Sequence, residues 1–250
     1  GRYEEAKEVY EESISIQEGV YGTRGHGDVA ASLHGLANVL DSLGSYEEAK
    51  EVYKESISIK EGVYGTREHG DVAASLHGLA NVLEHLGRYE EAKEVYEESI
   101  STQERVYGLR EHGSVASSLH GLANVLVRLD RYEEAERAFR EVLAIEERAF
   151  GSRRTPASIL TLVVLAELLV QQQRPHDALP LAQDGWDGAL EHNSLLDAVQ
   201  AGPVYVATLA MTGQEEEARQ VLATVVRLLQ QLPEDHPVRV SVERQIGLRQ

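Results

Sequence analysis

The chain lacks cysteine and has few large aromatic side chains, with one tryptophan and two phenylalanines in 250 residues. The absence of cysteine excludes disulfides and thiolate metal sites, and it favours a reducing compartment, so we expect a cytoplasmic protein. No apolar run approaches the ~20 residues of a membrane-spanning helix. The longest, Ile159–Val170, has 12 residues and contains Glu167. We also recognise no signal peptide.

Basic residues are scarce too. The chain carries 24 Lys and Arg against 42 Asp and Glu, a formal net charge of −18, and residues 1–150 account for −14 of it. An acidic surface repels phosphate backbones and anionic lipid headgroups, so we expect neither nucleic acid nor a membrane as partner. Acidity also promotes solubility in general, and therefore it does not identify a partner.

A 43-residue internal repeat dominates the sequence. The tetrapeptide YEEA begins at Tyr3, Tyr46, Tyr89 and Tyr132. Residues 3–45 match residues 46–88 at 37 of 43 positions, and residues 89–131 match them at 33. A repeat of this length predicts a solenoid, in which each unit buries its apolar face against its neighbours.

Each repeat is predicted to form two antiparallel helices, which we call B and A in chain order. In the first copy the B helix ends at Tyr21-Gly22, and Asp28 is the expected N-cap of the A helix. The A helix carries a narrow apolar stripe made by Val29, Leu33, Leu36, Leu40 and Leu43. The whole chain then gives an all-α fold of about twelve helices. We expect Gly202-Pro203 to interrupt one of them.

The domain organisation follows from the repeat. Residues 1–131 are predicted to form three near-identical repeats that open on a lone B helix. Residues 132–250 hold divergent repeats and a C-terminal capping helix, in one continuous solenoid. The lone first helix exposes an apolar flank, which predicts that the protein continues upstream or that two copies pair there.

One set of positions resembles the tetratricopeptide repeat, and it recurs in the next two copies: Leu33, Leu36, Ala37, Leu40, Gly44, Tyr46, Ala49 and Tyr53. The usual repeat has 34 residues. The length of 43, the long B helix and the GTREHGDVA loop are similar to the lengthened kinesin-light-chain-like variety. Two features depart from the pattern, namely serine in place of alanine at Ser13, Ser56 and Ser99, and Asp130 in place of glycine.

The resemblance implies a right-handed superhelix whose concave face, lined by A helices, binds a peptide or a segment of another protein. The positions that would line this groove are His34, Asn38, His77, Asn81, Glu84, His85, His120, Asn124 and Arg128. An asparagine amide offers both donors and an acceptor to an extended peptide backbone, and a histidine can donate, accept or titrate. Solvated surface and hydrogen bonding between helices are the alternatives for these residues.

The fourth A helix has Val163 and Glu167 at the corresponding positions, within an apolar surface. We expect this patch to accept an apolar side chain of the ligand. The alternative is that curvature or the C-terminal helices bury it, and the exposure of Val163 distinguishes the two.

No motif of catalysis or cofactor binding is present: GxxxxGK[ST], GxGxxG, GxSxG and HExxH are all missing. The loop histidines His26, His69 and His112 lie one repeat apart, too far to share a metal ion. The repeated serines are interpreted as packing residues, as is Trp186. We therefore expect no enzyme activity, cofactor or metal.

The sequence predicts a protein–protein interaction scaffold or sensor module. Two alternatives stay open. The array could be a structural spacer or a self-association arm, with a homodimer formed through the exposed N-terminal helix. It could also be the regulatory arm of an enzyme whose catalytic part lies outside this sequence.

Overall fold

The computed structural model describes residues 1–108 and 113–248, and these residues form twelve helices and no strand. The helices are α1 (Arg2–Tyr21), α2 (Gly27–Ser42), α3 (Tyr46–Tyr64), α4 (Gly70–His85), α5 (Tyr89–Tyr107), α6 (Gly113–Arg128), α7 (Tyr132–Phe150), α8 (Pro156–Gln171), α9 (Pro175–Glu191), α10 (Leu195–Met211), α11 (Glu215–Leu229) and α12 (Pro237–Gln245). The prediction of an all-α fold with B helices (odd numbers) and A helices (even numbers) is confirmed. None of these helices combines the length and the apolarity needed to cross a bilayer.

The chain divides into two compact units, Gly1–Ala138 and Phe139–Gln250. In the first unit, consecutive helices from α1 to α6 pack against each other, and α2 contacts α4 as α4 contacts α6. The predicted apolar stripe forms the core, where Leu33, Leu76 and Leu119 are at most 2% exposed. Both α2 and α4 thus touch their flanking B helices and the next A helix.

The B-helix serines are part of this core. Ser56 and Ser99 are fully buried. Each serine hydroxyl donates to a backbone carbonyl of the preceding A helix. Ser56 donates to the Ala30 carbonyl over 2.7 Å, and Ser99 donates to the Ala73 carbonyl over 2.9 Å. A buried hydroxyl needs such a partner, so serine replaces alanine at these positions without leaving an unpaired polar group.

The start of α2 differs from the prediction, because histidine and not aspartate is the N-cap. α2 begins at Gly27, and the Nδ1 atom of His26 accepts from the backbone N–H of Asp28 over 3.2 Å. Asp28 lies inside the first turn, where its carboxylate accepts from the Tyr21 hydroxyl. The Tyr21 ring stacks on His26 at 3.6 Å between centroids.

The second repeat builds the same turn. His69 Nδ1 accepts from the backbone N–H of Asp71 over 3.2 Å, and its ring stacks on Tyr64 at 3.6 Å. His112 lies outside the described residues. The loop histidines described here are therefore helix caps.

The departure at Asp130 is accommodated by the backbone. Gly44 and Gly87, which follow the first two A helices, have φ values of 76° and 72°. Asp130 takes the same left-handed conformation, with φ of 57°, and accepts from the Tyr132 hydroxyl over 2.5 Å. Aspartate is one of the few residues besides glycine that visit this region, because its side chain can hydrogen-bond locally.

In the second unit α8 packs on α9, α9 on α10 and α10 on α11, while α10 also contacts α8 and α12. The predicted interruption at Gly202-Pro203 is wrong, since α10 runs unbroken from Leu195 to Met211. A Cβ atom at Gly202 would collide with Val225 and lie 3.1 Å from Trp186. This close approach holds the segment against its neighbours as one helix. Trp186 is 5% exposed, which confirms its interpretation as a packing residue.

Candidate functional site

The A helices of the first unit enclose a cavity of about 330 Å³. Four of the residues predicted from the sequence line it: His34 and Asn38 from α2, and His77 and Asn81 from α4. The rest of the lining comes from α4, α5 and α6, and it comprises Gly70, Ala74, Gly78, Gln103, Tyr107, Ser114 and Ser117. We refer to it below as the inner cavity.

Both histidines of the inner cavity connect neighbouring A helices. The Nδ1 atom of His34 lies 3.0 Å from the hydroxyl oxygen of Ser75 on α4. The Nδ1 atom of His77 lies 3.0 Å from that of Ser118 on α6. Each ring also meets the edge of a buried tyrosine, with centroids 5.6 Å apart for His34 and Tyr53. These contacts fix both imidazoles, so their positions in the cavity wall are set before any ligand arrives.

The protonation state of His34 follows from the partners of Ser75. The Lys60 ammonium donates to the Ser75 hydroxyl oxygen over 2.7 Å, and an ammonium group can only donate. The Ser75 oxygen has a second lone pair and a proton of its own, so the same hydroxyl forms a hydrogen bond with His34 Nδ1 as well. Burial, reinforced by the nearby Lys60 cation, lowers the pKa of His34 to about 4. His34 is therefore a neutral ring at neutral pH.

His77 has the same state for a related reason. Gln103 Nε2 donates to the Ser118 hydroxyl oxygen over 3.2 Å. Ser118 can then direct its proton to His77 Nδ1 at 3.0 Å, a shorter distance than the 3.4 Å to the Ser99 hydroxyl. Burial lowers the pKa of His77, so this ring is also neutral at neutral pH.

The asparagine amides are oriented by tyrosines. The Tyr53 hydroxyl donates to Asn38 Oδ1 over 2.5 Å, and the Tyr96 hydroxyl donates to Asn81 Oδ1. Since each amide oxygen already accepts a proton, the NH₂ group is the part of each side chain that remains to donate. The α2 and α4 side of the inner cavity therefore presents the NH₂ groups of Asn38 and Asn81 as hydrogen-bond donors.

Close approach of the tyrosines to glycine makes this geometry possible. A Cβ atom built on Gly78 would lie 2.5 Å from the ring of Tyr53, and one on Gly121 would collide with Tyr96 in the same way. Tyr53 is 2% exposed and Tyr96 is fully buried. The glycine of each His-Gly-Leu segment, Gly78 or Gly121, thus leaves room for the tyrosine ring between successive A helices.

Gln103 also lines the inner cavity. This residue is 4% exposed, and its Oε1 atom is buried and has no hydrogen-bond partner within the described part of the chain. The sequence prediction missed Gln103. It occupies the same repeat position as Gln17, Lys60 and Glu146, and the changing polarity at that position was the available signal.

The third repeat departs from this arrangement. His120 and Asn124 are half-buried on α6, and burial lowers the pKa of His120. Residue 139, which lies 43 positions after Tyr96, is a phenylalanine and has no hydroxyl group to offer an asparagine. Arg128 is exposed near the end of α6. None of these three predicted residues lines the inner cavity.

Glu84 and His85 also lie outside the cavity lining, and both are engaged by other residues. Glu84 accepts from the Tyr96 hydroxyl over 3.4 Å, and burial raises the pKa of its carboxyl. His85 is exposed, with its Nδ1 atom 2.8 Å from the Asp41 carboxylate. Both side chains therefore contact other residues of the protein, His85 on the preceding A helix and Glu84 on the following B helix.

In the second unit, two cavities of about 360 and 400 Å³ lie among α8, α10 and α12, and Glu167, Val204 and Gln245 line both. Val163 is only 8% exposed and packs beside Gly185, whereas Leu160 on the same helix is 53% exposed. The burial of Val163 favours the alternative in which neighbouring helices cover it. Glu167 is exposed between the two cavities.

Within residues 1–108 and 113–248, no group of three or more histidine, aspartate and glutamate side chains is placed to hold a metal ion. Chemically, the inner cavity offers two asparagine amides and two neutral imidazoles. Such an arrangement suits the binding of a polar, uncharged group.

Solved structures with the same fold are repeat proteins. BtubC (BKLC) from P. vanneervenii superposes with a TM-score of 0.79 at 19% identity, over 95% of this chain and 94% of that one. The nearly identical repeats of a putative kinesin light chain from Podosopora anserina superpose with a TM-score of 0.67 at 25% sequence identity, over 81% of this chain and 96% of that one. YrrB, described as a TPR protein with an unusual peptide-binding site, superposes with a TM-score of 0.56 at 17% sequence identity, over 91% of this chain and 97% of that one. No curated protein sequence matches the chain significantly.

The family model for the tetratricopeptide repeat matches residues 1–62, 71–145 and 114–187. Neither this family nor these structures indicate an enzyme. Proteins with this fold commonly act as scaffolds for protein–protein interaction. The matches cover well over half of the chain and agree with the repeat seen in its sequence and helices. The chain belongs to the tetratricopeptide repeat family.

Proposed function

We propose that the chain is an interaction module, a scaffold or sensor arm, whose inner cavity binds an extended peptide segment of a partner protein. The observation that carries the proposal is the row of fixed polar side chains on α2 and α4. The imidazoles of His34 and His77 and the amides of Asn38 and Asn81 are held in place by other side chains. An extended peptide presents unpaired carbonyl oxygens, which are the acceptors that such a row satisfies.

Two further observations support this proposal. The donors are oriented by contacts within the protein, so a ligand does not have to bear the entropic cost of ordering them. The similar protein YrrB is described as having a peptide-binding site. In this proposal the module performs no chemistry of its own and works in the cytoplasm, either alone or as the regulatory arm of an enzyme.

Selection from a random peptide display library provides probes that need no knowledge of the natural partner. Selected peptides are synthesised, and their dissociation constants are measured by fluorescence anisotropy. Asn38→Ala and Asn81→Ala should each weaken binding at least fivefold, and Asn124→Ala extends the test to the third repeat. Glu94→Ala, an exposed change on α5, is the control. Affinities that stay within twofold in both Asn81→Ala and Asn124→Ala would contradict the proposed role of the asparagines.

A second candidate function is self-association through α1. Val9 and Ile16 are 64% and 58% exposed on α1, whereas Val52 and Ile59, at the same repeat positions on α3, are only half-exposed. The helix α3 packs between α2 and α4, while α1 packs on α2. A second copy could cover the open face of α1. Sedimentation velocity from 1 to 200 µM, about a 200-fold range around a typical micromolar constant, should show a dimer that Val9→Lys abolishes. A monomer throughout would exclude it.

A further inference from the structure

We propose that the second unit binds a basic side chain flanked by two apolar side chains, within a short extended segment of a partner protein. The site is the groove formed by the two adjoining cavities among α8, α10 and α12, which share Glu167, Val204 and Gln245. We call it the second-unit groove. All three helices belong to the second unit, so this site is not the inner cavity and adds to the proposed function.

Glu167 carries the only charge among the described residues that line this groove. Its side chain is exposed, and it has no hydrogen bond or ion pair with another residue of the ranges 1–108 and 113–248. A carboxylate beside apolar walls attracts a cation more strongly than one in open water, because the effective dielectric constant is lower there. The groove therefore favours a positively charged ligand group.

The repeat explains why this carboxylate is left without a partner. Glu167 stands two repeats of 43 residues after Asn81, at the same repeat position on its A helix. Asn81 accepts from the hydroxyl of Tyr96, which lies 15 residues further along the chain. Fifteen residues after Glu167 the chain has Ala182, which is buried and offers no hydrogen-bonding side chain.

Apolar side chains lie on both sides of Glu167 along α8. Leu160, which is 53% exposed, and Val164, which is half-buried, line the larger cavity. Val170, also half-buried, lines the smaller one. At 1.5 Å per residue, the distance from Leu160 to Val170 along the helix is about 15 Å. Although Val163 is covered, the groove remains open at these neighbours.

This length matches a short extended peptide. Every second side chain of an extended strand points to the same side, about 7 Å from the last. Three such side chains cover about 14 Å, so the middle one meets Glu167 when the outer two enter the cavities. The inferred ligand is an apolar residue, any residue, lysine or arginine, any residue and a second apolar residue.

Other segments fit less well. An acidic side chain in the middle would be repelled by Glu167 and by a chain of net charge −18. A wholly apolar segment would cover the carboxylate without supplying a counter-ion, and burying an unpaired charge is costly. A lysine or arginine between two apolar residues satisfies the carboxylate and the walls together.

The probe is a heptapeptide with blocked ends, Gly-Leu-Ser-Lys-Ser-Leu-Gly, titrated into the full chain by isothermal calorimetry. Its counterpart with glutamate in place of lysine should bind about tenfold more weakly or worse, because it repels Glu167. A counterpart with alanine in place of both leucines should also lose about tenfold, because it leaves the two cavities unfilled.

Variants of the protein locate the binding. Glu167→Gln should weaken the lysine peptide about tenfold, while Glu215→Gln, the matched loss of an exposed carboxylate on α11, should change it less than twofold. Glu167→Lys should reverse the preference, so that the glutamate peptide becomes the tighter ligand. Leu160→Ser, at an exposed residue, should weaken the lysine peptide without disturbing the fold.

Equal affinity for the lysine and glutamate peptides, absence of saturable binding, or unchanged affinity in Glu167→Gln would overturn the inference. Hexylammonium that displaces the lysine peptide at equal concentration would show that an isolated amine suffices, and it would overturn the assignment of a peptide.

The inference and the proposed function can fail separately. Asn81→Ala should leave the affinity of the lysine peptide within twofold, since Asn81 lines the inner cavity. A lysine peptide weakened as much by Asn81→Ala as by Glu167→Gln would overturn a site in the second unit. Library-selected peptides that depend on Asn81, in a chain that ignores the lysine peptide, would support the proposed function and reject the second-unit groove.

Discussion

The imidazole of His34 and the ammonium group of Lys60 share one hydroxyl group, that of Ser75, at 3.0 Å and 2.7 Å. The ammonium donates to this hydroxyl, and burial keeps the imidazole neutral at neutral pH. A second proton on His34 would place a cation close to Lys60. The first prediction follows from this arrangement.

We expect acid to destabilise the protein partly through His34. Its pKa is about 4 in the folded chain, against 6.5 for an unperturbed histidine, because of burial and Lys60, which outweigh the opposing attraction of Asp71. The unfolded state therefore binds more protons between these values, so the stabilising contribution is complete above pH 6.5 and is lost as the pH falls towards 4. Allowing for partial exposure, its size is on the order of 1–2 kcal/mol.

Urea unfolding at pH 7 and pH 4.5 measures this contribution as a difference between variants. The stability lost on acidification should be smaller in His34→Gln than in the wild type, while the exposed change His176→Gln should leave the loss unaltered. Equal losses in wild type and His34→Gln would show that this histidine does not contribute.

Lys60→Gln should raise the pKa of His34. Glutamine occurs at this repeat position in Gln17 and Gln103, so the fold accommodates it. The substitution removes the repulsion that Lys60 exerts on a protonated His34, while an amide can still donate to Ser75. An NMR titration of the imidazole measures the shift. Lys54→Gln, an exposed change on the same helix, is the control and should leave the titration where it was.

Much of the fold was predictable because the same helix pattern recurs in each repeat of the sequence. Identical spacing of YEEA and of the apolar stripe defines the helices, and helix breakers such as Gly22 and Gly65 mark their ends. His26 was missed as a cap because Asp28 is the stronger N-cap by residue type. The stacking of Tyr21 on His26, a contact across the turn, accompanies an N-cap two residues earlier.

The candidate site was predicted less completely, for a physical reason. Helical periodicity places His77 and Asn81 on one face of α4, and the structure confirms that both line a cavity. Their hydrogen-bond polarity depends on Tyr96, Ser118 and Gln103, which lie on other helices. A periodic pattern shows which residues share a face, whereas the partner of a side chain on another helix is decided by packing.

Gly78→Ala should destabilise the first unit by roughly 1–3 kcal/mol, the usual cost of overpacking a core. The added Cβ atom would lie 2.5 Å from the ring of Tyr53, which is itself buried and held by Asn38. Gly62→Ala is the matched control, since no atom lies within 4 Å of its added Cβ and alanine favours the helix. Thermal unfolding of both variants tests this, and a Gly78→Ala protein as stable as Gly62→Ala would contradict it.

Tyr96→Phe should loosen Asn81 without disturbing the packing of the ring. The hydroxyl donates to Asn81 Oδ1, and it also lies 3.4 Å from the Glu84 carboxylate. Its removal should cost about 0.5–1.5 kcal/mol of unfolding free energy, a typical net value for one such hydrogen bond. Phenylalanine already stands at residue 139, the same repeat position, so the ring alone is compatible with the repeat.

The same variant tests the fixed direction of the cavity wall. Without the tyrosine hydroxyl the Asn81 amide can turn, and its oxygen becomes available to a ligand beside its NH₂ group. The chemical-shift difference between the two side-chain amide protons of Asn81 should therefore become smaller in NMR spectra of Tyr96→Phe. The affinity for selected peptides should fall about two- to tenfold, which corresponds to the loss of one oriented donor. Tyr3→Phe, at a residue 55% exposed on α1, provides the reference for loss of a hydroxyl group alone. If Tyr96→Phe behaves like Tyr3→Phe in both measurements, the asparagine is held by something other than the tyrosine.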